Sequence, residues 1–104
     1  MDKPTCAEVE LEFRTSDEGG REQPVLLVGG TYRPHLVAAS GEYLGVAFVH
    51  GPAQAVQPGS YAQATLQFLY APRISYAELV EGCRFRVMEG GREVASGRVV
   101  RILR

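Results

Sequence analysis

The sequence predicts an all-β fold of about seven short strands, a closed barrel or a sandwich. Three observations carry this. Apolar and polar residues alternate at period two along most of the chain. Twelve Gly and six Pro punctuate those runs at short intervals. No helical periodicity persists for more than about one turn. The 104 residues are expected to form one domain, 1–104, with residues 1–5 as a short lead.

The first strand is expected from Thr5 to Arg14, with Ala7, Val9, Leu11 and Phe13 on one face and Glu8, Glu10 and Glu12 on the other. Ser16 to Glu22 follows as a turn, where Gly19-Gly20 supplies the positive φ of a hairpin tip. Pro24 to Val28 is a short apolar strand closed by Gly29-Gly30. Tyr32-Arg33-Pro34 opens a third strand to about Ala39, and Pro34 places it near an edge or a strand start. Gly41-Glu42 turns into a fourth strand, Tyr43 to Val49.

The loop from His50 to Ser60 contains Gln57-Pro58-Gly59, the signature of a type II turn. Tyr61 to Tyr70 points Ala62, Ala64, Leu66, Phe68 and Tyr70 inward. After Ala71-Pro72, Ser75 to Val80 reads as one helical turn, capped by Ser75 with Glu78 completing a capping box. Cys83 to Met88 sets Phe85 and Val87 against Arg84 and Arg86. Glu89 to Arg92 is a second tip, Glu93 to Leu103 the last strand, and Gly97 marks a bulge where the alternation changes phase.

Composition narrows the function. Eleven basic residues oppose twelve acidic ones, a net charge of −1, so no field strong enough to hold a long duplex by charge alone is expected. Residues 1–50 carry four basic and eight acidic groups (−4), residues 51–104 seven and four (+3). Ten of the eleven basic residues are Arg, which favours fixed bidentate contacts. No apolar run approaches the roughly 20 residues that span a bilayer, and the start lacks the pattern of a signal peptide, so no membrane partner is expected. Cys6 and Cys83 form no CxxC pair, zinc cluster or disulfide framework. Two free buried thiols in a reducing cytoplasm fit best, one bridge being the alternative.

Catalytic signatures are absent from the sequence. There is no GxxxxGK[ST], HExxH or GxSxG. His35 and His50 stand far apart without close carboxylate or Cys partners, so no metal, cofactor or catalytic residue is expected. Cys83 and His35 make a nucleophile pair only on paper.

Two features invite binding. Glu18 to Glu22 and Glu89 to Glu93 are the same pentapeptide, EGGRE, at two expected tips. They are either shared turn chemistry or two exposed loops whose glycine backbone and Arg side chain approach a phosphate. Glu8, Glu10 and Glu12 form either a solvated or edge-protecting face, or a ladder that pairs with Arg84 and Arg86 or with a basic partner.

SDEGGREQP, TYRPHLV, QPGSYAQATLQFLY and CRFRVMEGGREVASGRVVRIL, in this order from about Cys6 to Leu103, resemble the C-terminal β-barrel (third domain) of bacterial elongation factor Tu. The resemblance implies a small closed antiparallel β-barrel of about six to seven strands, present as a stand-alone domain. It also implies a non-catalytic, translation-associated binding module of the cytoplasm. In that family the barrel packs against a GTPase domain, meets the nucleotide exchange factor and helps cradle the tRNA T-arm. Carried over, RNA contacts fall on Arg21, His35, Glu89 and Gly90, and Arg92 joins them as the Arg of the second tip. By alternation Arg84 and Arg86 face outward, either solvated or meeting a phosphate or a partner carboxylate, and they are the candidate protein-partner interface. His35 stands where Gln is usual, Glu22 where His is common and Leu44 where Thr is usual. Arg86 replaces a small apolar residue. Without a GTPase domain, the chain is expected to bind no nucleotide by itself. The alternative reading is a protein–protein module that has lost tRNA and docks on another protein or self-associates.

Overall fold

In the computed structural model, which describes residues 5–104, six antiparallel strands close into a barrel. They are β1 (Cys6–Phe13), β2 (His35–Val37), β3 (Leu44–His50), β4 (Tyr61–Phe68), β5 (Arg84–Glu89) and β6 (Arg92–Leu103). Around the barrel the order is β1-β4-β3-β2-β5-β6, with β6 returning to β1. Of the expected lead, residues 1–4 lie outside the described residues. Thr5 joins the barrel, its amide donating to the Leu103 carbonyl (3.2 Å) and its carbonyl accepting from Phe68 (2.9 Å).

Period-two alternation is what closes this sheet on itself. Ala7, Val9, Leu11 and Phe13 of β1 point inward, as do Ala62, Ala64, Leu66 and Phe68 of β4. They meet Leu36, Val46, Phe48, Phe85, Val87 and Val99 in a single apolar core, and no polar side chain is buried among the described residues. Each fully buried Leu or Phe contributes about 1.5–3 kcal/mol, so the inward rows dominate the folding energy. Leu66→Ala, in the centre of this core, would cost about 2–5 kcal/mol.

Several expected elements are remade by this closure. Pro24 to Val28 is not a strand but a single bridge, Val25 to Val56, that pins Leu27 into the core. Pro24 lacks an N–H, and Gly29 and Gly30 turn the chain with φ of +86° and +77°. The third strand shrinks to β2, although Tyr32 and Pro34 still lend their carbonyls to Phe48 and Val46. Residues 75–80 form no helical turn. Tyr76 is drawn inward to stack on Phe68 (centroids 4.6 Å apart), and Glu78 accepts from Ser40 instead of capping. The capping box sits elsewhere, with Thr15 and Glu18 bracketing a 3-10 turn at Ser16–Glu18. Tyr70 points outward, 54% exposed. The type II turn forms as expected, Ser60 donating to the Gln57 carbonyl with Gly59 at φ +84°.

The long strand β6 bulges on either side of Gly97 rather than at it. Val94 is the extra residue against β5, and Val100 the extra residue against β1. Gly97 itself lies flat between Leu11 and Phe85. A Cβ there would collide with the Glu10 carbonyl and sit 2.8 Å from Phe85 Cζ, so close strand approach is what demands glycine. Cys6 and Cys83 are free and half-buried rather than buried. Cys6 is on β1 and Cys83 immediately precedes β5, and β6 lies between those strands.

Candidate functional site

The two EGGRE segments differ in backbone but meet through their side chains. The second is a two-residue hairpin between β5 and β6, with Gly90 at φ +60° and no left-handed φ at Gly91, the pattern of a type II′ turn. The first is not a hairpin tip. It is the 3-10 turn ended by Gly19 at φ +91°, inside the long connection from β1 to β2. Gly20 is buried there, and the position requires glycine because a Cβ would lie 2.5 Å from the Arg14 carbonyl oxygen.

From the first segment Arg21 reaches the second. Its Nη1 donates to Glu89 Oε2, its Nε donates to the Gln23 carbonyl (3.1 Å), and its guanidinium carbon lies 5.4 Å from the Tyr32 ring centroid. Tyr32 donates its hydroxyl to the same Glu89 oxygen at 2.6 Å and stacks on the buried Phe48. Burial, then the hydrogen bond to Glu89, pushes the Tyr32 phenol well above the usual tyrosine range. The Arg21 and Glu89 side chains are only 22% and 31% exposed. Arg21 therefore does not stand free as a phosphate donor. Tyr32, which completes the cluster, carried no role in the sequence reading, although it sits inside the TYRPHLV motif.

The other expected RNA-contact residues surround this cluster. Gly90 and Arg92 follow Glu89 in the hairpin, and Arg92 is exposed. His35, half-buried, pairs with Met88 next to Glu89, and its ring lies 5.6 Å from that of Tyr43. Glu22 is exposed, whereas Leu44 is buried in the core and offers nothing to a partner.

A second candidate surface lies on the outer face of β1, β6 and β5. It is an open groove of about 1020 Å³ with Ser96 and Gly97 in its floor, flanked by Tyr61 and Pro52 on one side and Val37 and Ala38 on the other. Register places Glu10, Arg98 and Arg84 in one row, and Glu12, Ser96 and Arg86 in the next. The glutamate ladder does not pair with Arg84 and Arg86, and it protects no edge, since the barrel is closed. Glu10 instead accepts from Arg98 Nε and Nη2 (3.0 and 2.8 Å), and Glu8 accepts from Arg101 (3.0 Å). Arg84, Arg86 and Glu12 are exposed and make no side-chain hydrogen bond or ion pair among the described residues. Tyr61, 76% exposed beside them, also went unmarked in the sequence because period two assigned it only to an outer face.

Cys83 and His35 do not come together. His35 is opposite Met88, five residues along from Cys83, about 17 Å by strand rise. Burial, with Glu78 nearby, raises the Cys83 thiol, the reverse of an activated thiolate. Among the described residues no three His, Cys, Asp or Glu side chains gather as a metal site, and no helix is long and apolar enough to cross a membrane. No protein-family model matches the chain.

Proposed function

We propose that the chain is a barrel of the elongation factor Tu third-domain type acting as a non-catalytic binding module, and that it engages a protein partner through the β1–β6–β5 face. The observation that carries this is the pair of exposed, unpaired arginines, Arg84 and Arg86, across a groove from an acidic strand. Mixed charge suits a polypeptide better than a phosphate backbone, which the unpaired Glu12 would repel. A location in the cytoplasm and a link to translation follow from the resemblance.

Binding of the tRNA T-arm is the second reading, favoured by the exposure of Arg92 beside Gly90 and His35. It loses Arg21, whose guanidinium is held by Glu89. The test compares two variants. Arg84→Glu/Arg86→Glu should release proteins that the native chain retains from lysate, and Arg92→Ala should leave them bound. Salt-sensitive binding of a T-arm minihelix, lost in Arg92→Ala, with no protein released by the double reversal, would replace the protein reading with the RNA one.

A further inference from the structure

Arg84 and Arg86 are alternate residues of one strand, so both project from the outer face about 7 Å apart. The exposed pattern of β5, with Phe85 and Val87 buried between and beyond them, fixes that direction. Across the groove, Glu12 stands two strand spacings from Arg86, about 10 Å, with Ser96 between them in register. The remaining charges that line the groove, Glu10 and Arg98, are already matched with each other. Among the described residues, the free charges of the groove are thus two cations on one bank and one anion on the other.

Resting on the protein-docking reading, we infer that the groove receives an extended partner segment with carboxylates at alternate positions, Glu-x-Glu or Asp-x-Asp. The two carboxylates sit on Arg84 and Arg86, and a basic side chain of the same partner reaches Glu12. Period decides the conformation of the segment. Residues i and i+2 share a face in an extended chain, about 7 Å apart, whereas on a helix they point to different sides. A closed barrel offers no edge for strand addition, so recognition runs through side chains. The small, outward-facing floor residue Ser96 lets the segment's backbone come close.

The experiment titrates the full chain with labelled octapeptides that carry Glu-x-Glu followed by Lys, against isomers with the two Glu three apart. Saturable binding of the alternate-spaced peptide is expected, weakened roughly tenfold or more by Arg84→Ala or Arg86→Ala. A Lys-x-Lys peptide that keeps the following Lys for Glu12 should bind Arg84→Glu/Arg86→Glu. All three variants alter exposed side chains, and their amide spectra check that the barrel is intact. Equal binding of both isomers, or binding insensitive to Arg84 and Arg86, would overturn the inference. So would a lack of peptide binding while Arg84→Glu/Arg86→Glu still releases lysate proteins, and that result would leave the docking reading standing. Retention of every lysate protein by the double reversal would remove both.

Discussion

Arg21 and Glu89 are 68 positions apart in the chain and share one ion pair, closed by the Tyr32 hydroxyl. The contact ties the long β1–β2 connection to the β5–β6 hairpin. It joins two copies of one pentapeptide, the Arg of the first to the Glu of the second. The repeat is thus neither shared turn chemistry nor two equivalent exposed loops but one asymmetric joint.

Removing either partner should be felt beyond the usual surface pair. Arg21→Ala is expected to cost about 1–2 kcal/mol, because a half-buried charged hydrogen bond and a cation–π contact go together. A double-mutant cycle with Glu89→Gln should give a coupling of about 1 kcal/mol in denaturant unfolding. Zero coupling would show that the joint does not form in solution. For the exposed pair Glu10–Arg98, the same cycle should give about 0.5 kcal/mol or less, falling further with salt.

Alkaline pH should loosen the same joint. The Tyr32 phenol has its folded value raised above the ordinary 10.0, so its contribution is complete below pH 10 and is lost as pH rises past it. Stability measured by urea midpoint should therefore fall from about pH 10 upward, and less steeply in Tyr32→Phe. An unchanged slope in that variant would argue that Tyr32 is already solvated.

Glycines should divide by what surrounds them. Gly97→Ala is expected to destabilise by about 2–3 kcal/mol or more, since its Cβ meets backbone and core atoms from both neighbouring strands. Gly90→Ala should cost about 1–2 kcal/mol for its left-handed φ. Gly91→Ala meets open space without a left-handed φ and should be near neutral. Thermal midpoints of the three, ranked otherwise, would contradict the strand spacing around Gly97.

Tyr76 should report on the loop that replaced the expected helical turn. Its hydroxyl donates to the Gly45 carbonyl at 2.6 Å and accepts from the Tyr70 amide at 3.2 Å. Tyr76→Phe keeps the stacking on Phe68 and leaves the Gly45 carbonyl its bond from the Leu69 amide (3.2 Å), but it strands the Tyr70 amide, at about 1–3 kcal/mol. Faster amide exchange at Tyr70 is the local sign to look for. Exchange unchanged there would show that the amide has another partner.

The amino-acid sequence by itself determined which residues face inward on β1, β4 and β5, because a strand's period of two is a property of the backbone. It likewise determined the type II turn at Pro58-Gly59, where local φ preferences suffice. Fold class was legible for the same reason. The tertiary structure decided whatever depends on distant partners. Thr15-x-x-Glu18 and Ser75-x-x-Glu78 carry the same capping signature, yet only the first caps, because Ser40 and the barrel end recruit Glu78 and Tyr76. Gly97 looked like a bulge and is a point of close approach, a distinction made by Glu10 and Phe85 on neighbouring strands. Arg21 looked free until Glu89 came within reach, while Arg84 and Arg86 stayed free because β6 supplied Arg98 and Arg101 to the glutamate ladder first. Charge pairing is a matter of a few ångströms across strands, and sequence spacing carries no information about which strands become neighbours.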